Sequence, residues 1–151
     1  MSNLAELYQE VIIEHNRAPR NFKRLPDANR VAQGDNPLCG DHIDLFLKVE
    51  GDRIADIGFQ GNGCAIAQAS ASLMTSAVQG KSVADAERLF DAFHDLVTGG
   101  PAVDKAALGK LMALGGVKQF PMRVKCASLS WHALRAALRG DNAATTEVSA
   151  E

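Results

Sequence analysis

Between His42 and Gln60 the chain alternates twice around the dipeptide Gly51-Asp52. Ile43, Leu45, Leu47 and Val49 recur at every second position before it, and Ala55, Ile57 and Phe59 do so after it. A period of two places the apolar set on one face of a strand. A glycine-containing dipeptide between two such runs closes an antiparallel hairpin. A short run from Arg30 to Gln33 offers a third strand. A hairpin with one apolar face has to be covered, and the rest of the chain supplies helices that could do so.

Leu4, Leu7, Tyr8, Val11 and Ile12 fall at helical spacing behind a possible Asn3/Glu6 capping box, which predicts a helix over about 3–16. The next stretch, N-R-A-P-R-N-F-K-R-L-P-D-A-N-R, has two prolines and five cationic side chains. It reads as a surface loop, either a solvated connection or a docking surface for an acidic partner. Cys64 to Gln79 is rich in Ala and Ser and stops at Gly80, as expected of a helix packed closely on a sheet. Ser82 with Asp85 caps another helix, whose Val83, Ala86, Leu89, Phe90, Phe93 and Val97 form an apolar stripe. Gly99-Gly100-Pro101 breaks it. A shorter helix is expected over about 103–114, ending at Gly115-Gly116, and a last one from about Pro121 with Ala127, Trp131, Leu134 and Leu138 on one face. One domain over 1–140 and a frayed polar tail over 141–151 follow from this pattern.

Charge narrows the function classes. Lys plus Arg number 16 against 18 for Asp plus Glu, and no basic block is present, so nucleic acid is not an expected partner. The N-terminus lacks a basic region followed by an apolar run, and no stretch approaches the ~18 consecutive apolar residues of a membrane span, which points to a cytoplasmic protein. The 151 residues suffice for a core without disulfide staples. Three cysteines, an odd number and far apart, argue for metal binding or reactive thiols over a disulfide framework.

Those cysteines are Cys39 in N-P-L-C-G-D, Cys64 in G-N-G-C-A and Cys126 in R-V-K-C-A. In an extended segment Cys39 and Asp41 project to one side and can share an ion. Cys64 and Cys126 each lie near a predicted helix start, where the dipole favours a thiolate, and Arg123 and Lys125 add positive charge beside Cys126. Three thiolates and a carboxylate match the four-coordinate preference of Zn²⁺. The spacing alone also fits buried, unreactive cysteines. His15, His42, His94 and His132 read as packed or surface imidazoles, and Trp131 as core.

N-P-L-C-G-D, a hairpin, G-x-G-C-A-I-A-x-A-S-A-S and R-V-K-C-A-S-L-S-W-H-A-L together resemble the IscU/NifU-type family of iron-sulfur assembly proteins, in particular its SufU branch. The block Y-Q-E-V-I-I-E-H-N-R-A-P-R-N-F is similar as well, so the likeness runs from about Leu7 to Leu138. It implies an α+β fold of the SufE/IscU-like kind, a small mainly antiparallel sheet of about three strands packed against several helices. It also implies Cys39, Asp41, Cys64 and Cys126 as metal ligands, and zinc as the cofactor, with iron or a [2Fe–2S] cluster as the alternative. Scaffold-type members carry His immediately before the third cysteine. Lys125 stands there in this chain, and the segment before Cys126 is longer, as in the SufU branch. In that branch Cys39 accepts persulfide sulfur from a SufS-like cysteine desulfurase and passes it to downstream iron-sulfur assembly proteins. Arg123, in the same block as Cys126, is a candidate for site electrostatics or partner binding. The alternative function is a scaffold on which a [2Fe–2S] cluster is assembled and then transferred.

Overall fold

A computed structural model describes residues 3–101 and 103–145. The alternating runs form β2 (Asp41–Glu50) and β3 (Arg53–Asn62), paired antiparallel across Gly51-Asp52 with Leu45 opposite Phe59 and Leu47 opposite Ile57. β1 (Arg30–Asn36) pairs antiparallel with β2, from Arg30 opposite Leu47 to Asn36 opposite Asp41. The third strand is thus three residues longer than its apolar pattern predicts, because Gly34 and Asn36 are buried without contributing to that pattern.

A fourth strand lies where an unpaired tail is expected. β4 (Ala143–Thr145) runs parallel to β1, Gln33 opposite Ala143, giving the order β3-β2-β1-β4. Three small residues carry no strand signal of their own, and the pairing is decided by the open edge of β1. Residues 146–151 of the expected tail lie outside the described residues.

Helices cover one face of the sheet. α1 (Asn3–Arg17) packs on α2 (Ala65–Val78), and α2 in turn lies along α5 (Pro121–Leu138). Small side chains allow this closeness: Ala69, Ser70, Ala71 and Ser72 on α2 are all buried, and the Ser70 hydroxyl donates to the Ala127 carbonyl at 2.6 Å. α3 (Val83–Thr98) begins at Ser82, whose side chain accepts from the Asp85 amide at 3.0 Å, and ends on Gly99 in the left-handed region. The helix expected over 103–114 is instead a single α turn, α4 (Lys105–Leu108), followed by a 3₁₀ stretch from Gly109 to Gln119. Gly109, at φ +53, breaks the α pattern at the join.

The core joins Leu45, Leu47, Ile57 and Phe59 of the sheet to Met74, Phe93, Leu114 and Trp131 of the helices. Trp131 stacks on Phe93 with centroids 4.6 Å apart. At its rim Arg135 lies 3.6 Å over the Phe90 ring and donates to Glu87 and Asp91, each at 3.0 Å, tying α5 to α3. The cationic loop after α1 is anchored. Phe22 packs edge-on against Phe59 at 5.2 Å, the Asn21 carbonyl accepts from the Phe59 amide, and Leu25 is buried. That segment covers the outer edge of β3, which would otherwise offer unpaired backbone groups.

Candidate metal centre

The β1–β2 connection is a four-residue turn. The Asn36 carbonyl accepts from the amides of Cys39 at 3.2 Å and Gly40 at 2.9 Å, and Gly40 sits at φ +74, a region glycine enters without strain. Cys39 and Asp41 therefore do not lie on one extended segment. Cys39 rides the turn and Asp41 begins β2, and the reversal of the chain brings them together.

Cys39 Sγ lies 3.7 Å from Cys126 Sγ. These two sulfurs and a carboxylate oxygen of Asp41 lie within 4.8 Å of one another, and among the described residues no histidine joins that group. A disulfide needs about 2.05 Å between sulfurs, so the cysteines are unbridged. Two thiolates on one tetrahedral zinc at about 2.3 Å each would sit about 3.8 Å apart. The observed separation fits that ion.

Cys64 is the residue just before α2, in the N-cap position, and Asp41 does its capping: one carboxylate oxygen accepts from the Cys64 amide at 2.9 Å. Gly63 makes this possible, since a Cβ there would stand 2.8 Å from that oxygen. The Cys64 side chain is close enough to Cys126 and Arg123 to raise the pKa of both, although it is not within 4.8 Å of all three members of the tighter group. The structure thus gathers all four donors named from the sequence, three closely and the fourth alongside.

Cys126 is fully buried in the second turn of α5, behind Pro121 at the helix start. The sequence reading expects its thiolate to be favoured by the helix opening. The structure points the other way: burial first, then hydrogen bonds with Cys64, Asp41 and Cys39, push its thiol far up. Desolvation outweighs the dipole two turns in, so a proton stays on the sulfur unless a cation replaces it. A divalent cation is the species this donor set fits. Arg123 lies exposed at the rim, its pKa raised first by its interaction with Cys126 and then by Cys64 beside it.

One residue of the arrangement is not singled out in the sequence. Asn36 is fully buried, donates to the second Asp41 oxygen at 3.0 Å and reaches Cys126 Sγ at 3.7 Å. Both carboxylate oxygens are thereby fixed, the usual way an outer group orients a ligand. The available signal is its place at the head of the N-P-L-C-G-D block.

An α+β domain that gathers thiols and a carboxylate at one end of its sheet has a donor set that could hold a metal ion. Residues 7–127 match the NifU-like N-terminal domain, and the chain belongs to that family, in its IscU/SufU type. It is 45% identical to the zinc-dependent sulfurtransferase SufU of Bacillus subtilis (strain 168), over 88% of this chain and 90% of the relative. It is 42% identical to the iron-sulfur cluster assembly scaffold protein IscU of Streptococcus pyogenes serotype M1, over 92% and 87%. The solved structure of the SufU protein of the thermophile Fervidobacterium islandicum AW-1 superposes with a TM-score of 0.83 at 34% identity, over 88% of this chain and 97% of that one. No helix among the described residues is long and apolar enough to cross a membrane.

Proposed function

We propose that this protein is a zinc-dependent sulfurtransferase of iron-sulfur cluster assembly, accepting persulfide sulfur on Cys39 from a SufS-like cysteine desulfurase in the cytoplasm. The observation that carries the reading is the 3.7 Å approach of Cys39 and Cys126 beside Asp41. Cys39, Asp41, Cys64 and Cys126 would hold the zinc. When bound, zinc supplies the divalent charge that keeps these sulfurs as thiolates without their protons.

The protein's own groups divide the remaining work. Cys126 is sealed and suits holding, whereas Cys39 is half-buried on a turn beside the exposed Leu38. Cys64 is half-buried too, but its amide is tied to Asp41. Cys39 Sγ attacks the outer sulfur of the donor persulfide. A new S–S bond forms to Cys39 as the donor's S–S bond breaks, and the donor cysteine leaves as a thiolate. The exchange is redox-neutral and follows thiol–disulfide chemistry. Arg123, exposed at the rim, attracts the anionic persulfide, and Asn36 with Asp41 keeps the site in register. Downstream assembly proteins would then take the sulfur.

Incubation with a cysteine desulfurase and cysteine should add one sulfur atom to Cys39, located by peptide mass spectrometry. Cys39→Ser should abolish both this addition and any stimulation of the desulfurase. Sulfur found on Cys64, or stimulation retained without Cys39, would refute the role. The likeness to the streptococcal IscU supports a second reading, in which the same thiolates carry a [2Fe–2S] cluster as cargo. Anaerobic reconstitution separates the two, since a stoichiometric, transferable cluster favours the scaffold and persistent zinc favours the relay.

A further inference from the structure

Farther along α2 from Cys64, the side chains of α2, α3, α4 and the 3₁₀ stretch enclose a half-open groove of about 860 Å³. Leu73, on its floor, is nine residues past Cys64, about 13 Å along a helix that rises 1.5 Å per residue. Neither Cys39, Asp41, Cys64 nor Cys126 lines it. Its volume falls in the ~300–1,000 Å³ range of small-molecule sites. The floor is aliphatic, formed by Leu73 and Ala77 of α2, Leu89 and Ala92 of α3, and Leu108 and Leu111. The two alanines leave the width that larger side chains would fill.

The polar groups around this floor are unevenly satisfied. Asp85 pairs with Arg88, Asp91 accepts from Arg135 at 3.0 Å, and Asp104 accepts from the Ala107 amide at 3.1 Å. Arg20 is paired with Glu14 at 2.8 Å. The side chains of Lys81 and Lys110 line the same groove and form no hydrogen bond or ion pair among the described residues, although the charge of Lys110 also acts on Glu14. The charges of Asp85 and Asp91 are offset by arginines, and against Lys81 and Lys110 only Asp104 is left without a cation, so the balance of the groove favours a negative ligand.

A buried imidazole adds a second, independent pointer. His15 lines the groove at only 4% exposure. Its Nδ1 lies 2.7 Å from the Ser72 hydroxyl, which also accepts from the Arg20 amide at 2.7 Å. Nε2 makes no hydrogen bond to another described residue, without being one of the fully buried orphaned side-chain atoms. Burial first, then the nearby charges of Arg20 and also Lys110, lower the pKa of the ring and keep it a neutral hydrogen-bonding group.

We propose that this groove binds an amphipathic organic anion, its apolar body on the leucine and alanine floor and its acidic head held by Lys110 and His15 Nε2. Lys81 adds its charge at the rim. The proposal is independent of the sulfur chemistry and stands or falls without it.

Calorimetric titration of the zinc-loaded full chain with octanoate, and separately with the neutral octanol, tests it. Octanoate should bind at one site, and octanol about tenfold more weakly or worse. Lys110→Glu, at an exposed position, should weaken octanoate by about tenfold, equivalent to about 1.4 kcal/mol. Ala77→Trp should fill the groove and abolish binding, with circular dichroism reporting the fold. Should that variant not fold, Lys110→Glu and the octanol comparison decide. Equal affinity for octanoate and octanol, no saturable binding of octanoate at millimolar concentration, or undiminished binding to Lys110→Glu would overturn the proposal.

Discussion

Trp131 and Cys126 lie five residues apart on α5 and are equally buried, at 1% and 0% exposure, yet their surroundings differ in kind. Around Trp131 the neighbours are rings, with Phe93 stacked and Phe90 edge-on at 6.5 Å. Around Cys126 they are Asn36, Asp41, Cys39 and Cys64. Burying rings stabilises a fold by removing apolar area from water. Burying thiols against a carboxylate costs free energy unless hydrogen bonds and a cation compensate it. The first region explains why the chain folds, and the second holds the groups that the proposed chemistry would use.

The largest expected effect tests the first region. Trp131→Ala should lower unfolding free energy by about 3–5 kcal/mol, read from urea midpoints. A loss below about 1 kcal/mol would break the distinction, since the ring would then not be part of the core.

Asn36→Ala addresses the second region. Removing the donor to Asp41 should weaken zinc binding by about 10–100-fold in chelator competition. Unchanged affinity would mean that the carboxylate is held by other means.

Ser82→Ala sharpens the contrast. Losing the cap on α3 should cost about 1 kcal/mol of stability while leaving zinc affinity as it was, because α3 contributes no donor. A change in affinity would show that the two regions are coupled.

The smallest effect is a slope with pH. His132 packs on Phe90 at 5.6 Å, and burial first, with the charges of His94 and Arg135, lowers its pKa below 6.5. Below pH 6.5 the unfolded chain binds a proton at this ring that the folded one resists, so stability falls as pH falls through that value towards the folded pKa. His132→Phe should flatten the slope there, and an unchanged slope would assign it to other groups.

Much of this architecture can be read along the chain. The hairpin is legible because alternation and Gly51-Asp52 agree, and α3 because Ser82, its apolar stripe and Gly99 agree. What escapes is set by partners distant in sequence. β4 has three small residues and pairs because β1 offers an edge, and the Gly109 backbone turns an expected helix into a 3₁₀ run. The donors are legible as residue types. Their convergence is not, since it depends on a turn around Asn36 and a carboxylate capping another strand's neighbour helix. The direction of the Cys126 shift is also hidden, because burial is a tertiary property that outweighs the helix-start argument.

The proposed centre is tested most directly by zinc-edge X-ray absorption on the freshly purified protein. Three sulfurs at about 2.3 Å and one oxygen at about 2.0–2.2 Å are expected from Cys39, Cys64, Cys126 and Asp41. A shell with two sulfurs, or with nitrogen from a histidine, would contradict the assignment.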